Sequence, residues 1–443
     1  MKMSIPSPFL RVLVLLLVVA PAVLAQRDDS AEARFERGKK AFDRMEVEGA
    51  REELEAALAV TEGPLAAPRK LEAERLLGLI AQYAQRTADA VTWNTRALAT
   101  LTGIEGVKSP ALVPLLVELA RSLKDDGQLP ESLAPLERAL VLLAPAAETE
   151  GERIAAIRFD LARSAKLAGR RELALDNFLL YLAAREKALG PDSGDLAYPL
   201  EQIAALQIGL GRKKDALATW ERWMALFEKL KGPKSPALCR GLDATSRLRI
   251  ALGDADGAEK DVQRWLSLLL KVTVEHPEIA TAEHRFSMLE DARGNHEEAL
   301  RHLDAALLQT RKIRGPGALA FGKFQLDRAD LLRRMKRLDE ALAAAETGCA
   351  ILVKKRAGDD VEVVLGFLER GRVHLDREEW DLAAADFRRV TGSWERIGGP
   401  KHPALAEPLG FLATALEKKG GEEAAKEAAA LRGRVKEIEA AAR

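Results

Sequence analysis

Apolar residues recur along this chain with the spacing of an amphipathic helix, and the pattern returns many times. Around residue 130, for example, Leu129, Leu133, Leu136 and Leu140 fall on one helix face and polar residues fill the other. Apolar residues make up 47% of the chain and charged residues 31%, and Ala, Leu, Glu, Arg and Lys favour helix throughout. The pattern therefore predicts an all-α protein.

Small residues mark ten repeats of this pattern at intervals of 40 to 42 residues: Ala50, Ala90, Ser132, Ala174, Ala216, Ala258, Ala299, Ala341, Ala383 and Ala425. A second series of small residues lies twelve positions earlier in every repeat: Gly38, Gly78, Ala120, Ala162, Ala204, Ser246, Ser287, Ala329, Gly371 and Ala413. Two antiparallel helices need a position without bulk on each if their backbones are to approach closely, and one such pair becomes stable only when neighbours stack on it. The predicted fold is an α-solenoid of about ten antiparallel helix pairs forming a superhelix.

The predicted solenoid spans residues 26–443, with repeats near 29–60, 69–102, 110–146, 152–189, 195–231, 236–272, 277–313, 318–354, 360–396 and 403–442. Five residues before the first series, six repeats carry a glycine that can adopt the left-handed conformation of a helix end: Gly127, Gly169, Gly211, Gly253, Gly294 and Gly420. The motif G-x-K-[SH]-P-A-L precedes three repeats, and we expect Ser109, Ser235 and His402 to cap the helices that the following prolines begin.

Helix pairs with small residues twelve apart resemble tetratricopeptide repeats. The 42-residue spacing and segments such as REKALGPDSGDLAYPL and GPKHPALAEPLG resemble the longer variety found in kinesin light chains and in many bacterial repeat proteins. The likeness covers about residues 29–443, and it implies binding of peptides or protein surfaces in a concave groove lined by the first helix of each repeat. The asparagines that the kinesin-light-chain pattern carries in that helix are missing, which favours binding through charged or apolar side chains.

The N-terminal segment has a different character from the repeats. Lys2 and Arg11 precede an apolar run from Val12 to Ala25 that ends in Val-Leu-Ala before Gln26. This arrangement is typical of a secretory signal peptide over residues 1–25, and the run is shorter than the roughly 20 residues of a membrane span. We expect an exported bacterial protein, periplasmic or secreted, without stable membrane insertion after cleavage. Retention of the segment as an uncleaved anchor is the alternative.

The net charge narrows the expected partners, and the spacing of the cysteines argues against a disulfide. The chain has 68 basic and 68 acidic residues, which removes the electrostatic case for a nucleic-acid or membrane-surface partner. Cys239 and Cys349 fall more than two repeats apart, too far for a disulfide if stacked repeats advance by about 10 Å each. We expect two buried, unbonded thiols.

Catalytic and metal-binding motifs are missing from the sequence. The six histidines form no H-E-x-x-H motif, and they are expected to be solvated or to cap helices. No G-x-S-x-G motif occurs, and acidic pairs such as Glu297 and Glu298 lie on regular amphipathic helices. The sequence therefore predicts neither enzyme nor cofactor, and no metal site.

A binding surface can be predicted from the repeat positions that face the groove, which lie three before, one after and four after the small residue of the first helix. In repeats three and four they are Val117, Arg121, Lys124, Phe159, Arg163 and Lys166, and Arg247 and Arg372 hold equivalent places in repeats six and nine. Asp291 and Asp330 make the groove more acidic at repeats seven and eight. We hypothesise a basic, partly apolar trough that binds an acidic peptide or chain terminus. The alternative is that these cations merely solvate an inner helix face.

Three aromatic residues, Tyr181, Trp223 and Trp265, share one position of the repeat where others carry alanine. We expect them to fill the core, and an exposed aromatic binding strip is the alternative. Together these features predict a non-enzymatic scaffold for a protein or peptide partner. A second hypothesis is an envelope-structural or assembly subunit that self-associates or docks on a membrane complex.

Overall fold

The computed structural model describes residues 28–272, 275–356 and 358–441. The predicted signal peptide, residues 1–25, lies outside these ranges. The described residues form twenty α-helices and no strands. None of these helices combines the length and the apolar composition that a bilayer span requires. The chain divides into two compact units, one ending at Arg170 and the other beginning at Arg171.

The first unit contains seven helices, each packed against the next one in the chain. They are α1 (Ala31–Asp43), α2 (Val47–Ala59), α3 (Ala67–Tyr83), α4 (Thr87–Glu105), α5 (Val113–Asp125), α6 (Leu133–Leu143) and α7 (Gly151–Leu167). Odd-numbered helices are the first helices of their repeats, and even-numbered helices are the second.

The second unit contains thirteen helices with the same neighbour-to-neighbour packing. They are α8 (Arg171–Leu189), α9 (Ala197–Gly209), α10 (Lys213–Lys231), α11 (Cys239–Leu252), α12 (Ala255–Leu270), α13 (Pro277–Ala292), α14 (His296–Arg314), α15 (Leu319–Arg334), α16 (Leu338–Lys355), α17 (Val361–Asp376), α18 (Trp380–Gly398), α19 (Ala406–Lys419) and α20 (Glu422–Ala441). The prediction of an α-solenoid built from helix pairs is confirmed.

The small residues lie at the helix contacts, as predicted, with one exception. All ten members of the first-helix series are buried. Nine of the ten second-helix positions are buried as well, but Ala425 is exposed. In α20 the buried stripe instead runs through Ala424, Ala428 and Leu431, which pack with residues of α19. The prediction for Ala425 is wrong because α20 is rich in alanine, so the sequence does not distinguish one of its faces from another.

The helices α15 and α16 cross at two glycines and approach each other very closely there. A Cβ atom added to Gly348 would lie 2.8 Å from the carbonyl oxygen of Gly322 and 2.7 Å from Cδ2 of Leu326. Real Cβ atoms are not found so close to a backbone oxygen. Only glycine therefore allows this crossing without a shift of the helix backbone.

The turn inside each helix pair has a residue with positive φ at the position where six repeats carry glycine, and the last turn has a second one, Gly421. In the other four repeats the residue at this position is Met45, Gln85, Lys336 or Glu378, with φ between 55° and 63°. Positive φ at this position is therefore a property of all ten repeats, and four of them adopt it with a side chain that disfavours it.

Replacing Lys336 or Glu378 with glycine should remove this backbone strain. Left-handed backbone costs a non-glycine residue about 1 to 2 kcal/mol, and the lower entropy cost of the side-chain-bearing residue offsets part of it. We expect each substitution to raise the free energy of unfolding by about 0.5 to 1 kcal/mol in chemical denaturation. Lys354→Gly, within α16, is the control and should lower it, because its backbone is helical. A loss of stability in Lys336→Gly as well would contradict the argument.

The predicted helix starts are confirmed, with a short 3-10 turn placed before the α-helix. The Oγ atoms of Ser109 and Ser235 accept hydrogen bonds from the N–H groups of the residues two positions later, and Nδ1 of His402 does the same. Each following proline begins a three-residue 3-10 turn that leads into the first helix of the repeat. Ser-Pro and His-Pro pairs therefore fix where these helices begin.

The cysteines and tryptophans lie where the sequence predicts them. Cys239 and Cys349 are buried and unbonded, and burial raises the pKa values of their thiols to about 11 and about 12. Trp223 and Trp265 are each 2% exposed, whereas Tyr181 is half-buried. The two tryptophans are core residues rather than an exposed binding strip.

Candidate binding clefts

The first candidate site is a small cleft between the first helices of repeats three and four. Its walls include Val117, Arg121 and Lys124 of α5 and Arg163 of α7, and Leu136 of α6 also lines it. We call it the α5/α7 cleft. The structure thus brings together four of the residues that the repeat positions predict.

Three cations and one anion line the α5/α7 cleft, and the cations carry little compensation. Arg121 and Arg163 are exposed and Lys124 is half-buried. No carboxylate of the described residues pairs with any of the three; the guanidinium of Arg163 lies 5.6 Å from the ring centre of Phe159. Asp160 is the one acidic lining residue, and the sequence reasoning did not include it. The cleft therefore has an excess of positive charge beside an aromatic ring.

The remaining predicted site residues differ in their surroundings. Phe159 lies on α7 one turn before Arg163, and Lys166 is exposed near the end of the same helix. Arg247 lies 3.9 Å from a carboxylate oxygen of Asp243. Arg372 lies 3.4 Å from Glu369 and 3.9 Å from Glu407. Arg372 is thus paired with two carboxylates, whereas Arg247 shares Asp243 with Arg285, which lies closer to it at 2.8 Å.

A second cleft, between α13 and α15, uses the same positions of the repeat as the α5/α7 cleft. Met288 takes the place of Arg121, Asp291 that of Lys124, and Asp330 that of Arg163. We call it the α13/α15 cleft. Its helices are held together by Arg334 of α15, which donates to both carboxylate oxygens of Asp291 at 2.8 Å. The same frame therefore presents opposite charges in the two clefts.

A third cleft lies between α15 and α17 and encloses about 480 Å³. Leucines line much of it: Leu326 of α15, Leu352 of α16, and Leu365 and Leu368 of α17. We call it the α15/α17 cleft. The sequence reasoning missed it, although Leu326 and Leu368 occupy the groove position three before the small residue. The signal that could have found it is the coincidence of leucine at that position in two successive repeats.

Carboxylates surround the leucines of the α15/α17 cleft. Glu369 is 9% exposed and accepts a hydrogen bond from Nε of Arg333 at 3.3 Å. Burial, and next the nearby carboxylate of Asp330, raise the pKa of Glu369 above its ordinary value. Arg333 also pairs with Asp330 at 2.7 Å and with Asp376 at 3.4 Å. Its positive charge is therefore compensated even without Glu369.

This pKa shift predicts a pH-dependent effect of Glu369→Gln. A raised pKa means that the folded chain binds the proton more tightly than the unfolded chain, so the ionised carboxylate lowers stability above pH 4.5, the ordinary pKa. We expect the variant to have a higher free energy of unfolding than the wild type at neutral pH. The difference should disappear as the pH falls below 4.5, which denaturation across a pH series measures. A variant less stable than the wild type at neutral pH would show that the ion pair with Arg333 outweighs burial.

The histidines only partly follow the expectation that they are solvated or capping. His276 and His402 do cap helices. His374, however, is 6% exposed and lies 2.6 Å from a carboxylate oxygen of Glu379. His302 contacts Glu283 at 2.7 Å, and its ring stacks on Phe286. The expectation is wrong for His374, because a carboxylate across the turn satisfies a buried ring. No group of three histidine, cysteine, aspartate or glutamate side chains among the described residues is arranged to hold a metal ion.

No family model matches the sequence, and no curated protein resembles it. Several solved structures are similar to this chain in fold. A tetratricopeptide repeat protein from Parabacteroides merdae has a TM-score of 0.46 at 20% identity, covering 68% of this chain and 98% of its own. BtubC (BKLC) from P. vanneervenii has a TM-score of 0.46 at 15% identity, covering 52% and 91%. RapI in its apo form has a TM-score of 0.35 at 16% identity, covering 64% and 98%. Because these TM-scores and identities are low, the evidence for the helix-pair architecture is the arrangement of the helices in this chain itself.

Proposed function

We propose that this chain is a non-enzymatic scaffold whose α5/α7 cleft binds an acidic segment of a protein partner. The observation that carries the proposal is the set of three cations, Arg121, Lys124 and Arg163, that converge on one cleft and form no ion pair with a carboxylate of the described residues. At the equivalent position of repeat nine, by contrast, Arg372 is paired with Glu369 and Glu407 of the same chain. Cations left uncompensated beside each other repel, and a bound carboxylate relieves that repulsion.

The chemistry of the cleft suits a segment that combines carboxylates with an apolar side chain. Guanidinium groups form charge-assisted, bidentate hydrogen bonds with carboxylates. Val117 and Phe159 supply apolar surface next to Arg121 and Arg163, so an aliphatic residue of the ligand can lie against this surface at the mouth of the cleft, whose interior volume is only about 20 Å³. Because Arg121 and Arg163 are exposed, salt should weaken the interaction.

The proposal predicts that charge reversal at two positions weakens binding of an acidic peptide. The probe is a short fluorescein-labelled peptide in which glutamates flank a single leucine, and binding is followed by fluorescence anisotropy at low and at physiological salt. We expect Arg121→Glu combined with Arg163→Glu to weaken binding about tenfold or more, because each change removes a charge-assisted hydrogen bond and adds a repulsion.

The matched control is Lys70→Glu combined with Lys108→Glu, which changes the net charge equally. Both lysines are exposed in the same unit and lie outside the cleft. The control should bind the peptide nearly as tightly as the wild type, and circular dichroism should show equal helix content in all three proteins. Equal weakening in both double variants would mean that only the net charge matters, and the α5/α7 cleft would then not be the site.

A further inference from the structure

The α15/α17 cleft has an accessible apolar interior that the packing of the repeats does not require. Leu352 is fully buried, and Leu326 and Leu368 are partly buried. Leu365 is 47% exposed although it lines the same cavity. The cavity volume of about 480 Å³ lies within the range of about 300 to 1,000 Å³ that is typical of ligand pockets. The leucines therefore leave room for an aliphatic side chain of another molecule.

The charged groups around this interior determine which molecule fits it. Four carboxylates and two cations line the cleft, so its lining has an excess of negative charge. Most of these groups are engaged with each other: Lys323 pairs with Glu362, and Arg372 pairs with Glu369. An acidic ligand would meet repulsion here, in contrast to the α5/α7 cleft.

Asp327 is the carboxylate best placed to meet a ligand. It lines both the α13/α15 and the α15/α17 clefts, and its side chain is 52% exposed. Among the described residues, the one basic side chain in contact with its carboxylate is His284, whose Nε2 lies 2.8 Å from Oδ2. Asp330, by comparison, is held by Arg333 and Arg334. A cation bound at Asp327 would lie directly beside the leucine-lined cavity.

We propose that the α15/α17 cleft binds a basic, aliphatic peptide segment, with an aliphatic side chain between Leu326, Leu365 and Leu368 and an adjacent lysine or arginine at Asp327. The site differs in location and in charge from the α5/α7 cleft and does not depend on it. The chain then has two peptide sites of opposite preference, one in each compact unit. Burial of the aliphatic side chain supplies the main driving force, and the carboxylate selects the sign of the neighbouring charge.

The test uses a short fluorescein-labelled peptide in which lysines flank a single leucine, with binding measured by fluorescence anisotropy. Leu365→Lys places a cation at the entrance of the cavity, and Asp327→Asn removes the selecting charge while keeping a hydrogen-bonding side chain. We expect each variant to weaken binding about tenfold. Leu308→Lys is the matched control, because Leu308 is 54% exposed on α14 and lines neither cleft. It should bind like the wild type.

Two further comparisons are needed. One shows whether binding requires the leucine-lined cavity in addition to charge, and the other shows whether it is independent of the α5/α7 cleft. A peptide with serine in place of leucine should bind at least about tenfold more weakly, and the Arg121→Glu/Arg163→Glu variant should bind the lysine peptide as the wild type does. The proposal is overturned if the wild type does not bind the lysine peptide, if the serine peptide binds as tightly, or if Leu365→Lys and Leu308→Lys behave alike. Loss of glutamate-peptide binding in the Arg121→Glu/Arg163→Glu variant tests the first site separately.

Discussion

Replacing Trp223 with alanine is expected to lower the free energy of unfolding of the second unit by about 3 kcal/mol. Trp223 is 2% exposed, stacks on Phe227 with ring centres 3.9 Å apart, and contacts Gly241 of the next helix. Truncating a buried tryptophan costs about 3 to 5 kcal/mol. Its indole N–H is buried without a partner among the described residues, so removing it recovers part of that cost and places the expected value at the lower end.

Chemical denaturation followed by circular dichroism measures this loss, and hydrogen exchange shows where it acts. In an array of repeats we expect the amides of α10 and α11 to lose the most protection, because each repeat interacts mainly with its neighbours. Leu308→Ala, at a side chain 54% exposed in the same unit, should change stability by no more than about 0.5 kcal/mol. A similar loss in both variants would show that Trp223 is not a packing centre.

Replacing Gly348 with leucine is expected to lower the free energy of unfolding by about 2 to 3 kcal/mol. Leucine favours helix over glycine by nearly 1 kcal/mol, so propensity alone predicts stabilisation. The added Cβ, however, would lie 2.8 Å from the carbonyl oxygen of Gly322, and a backbone atom cannot move without shifting the whole of α15. Forcing extra bulk into a packed contact costs about 1 to 3 kcal/mol or more, which outweighs the propensity.

The control for this prediction is Gly433→Ala in α20. No atom lies within 4 Å of a Cβ added to Gly433, so propensity alone should act there and raise stability by up to about 1 kcal/mol. Gly348→Ala should fall between the wild type and Gly348→Leu. If both alanine variants were stabilised equally, the crossing of α15 and α16 would not require glycine. Thermal denaturation of the three variants in parallel makes the comparison.

The fold was predictable because its determinants are local. Helix periodicity, the two series of small residues and the Ser-Pro and His-Pro caps each lie within about 42 residues of sequence, and the helices they specify pack on their neighbours in the chain. The burial of Trp223 and Trp265 was predictable from their shared position in the repeat. Ala425 was mispredicted where the local signal is weakest, in an alanine-rich helix.

The candidate sites were less predictable, because their character depends on pairing between repeats. The sequence places Arg121, Arg163 and Arg372 at equivalent positions, yet only Arg372 meets acids such as Glu369 and Glu407. Whether such an ion pair forms depends on side-chain rotamers and on the rotation of one helix relative to the next. An alignment of the repeats contains neither kind of information. The α15/α17 cleft was missed for a related reason, since its leucines come from three helices.

The equivalence of the α5/α7 and α13/α15 clefts has a consequence for how such a chain can diversify. The residues that hold the frame together, such as Ala120 and Leu136, are buried, whereas the residues that set the charge of each cleft include exposed Arg121 and Arg163. The charge of a cleft and the stability of the fold are therefore encoded at separate positions of the repeat. The charge of a cleft can be reversed by a few surface exchanges, and clefts of different charge can accumulate repeat by repeat while the scaffold stays the same.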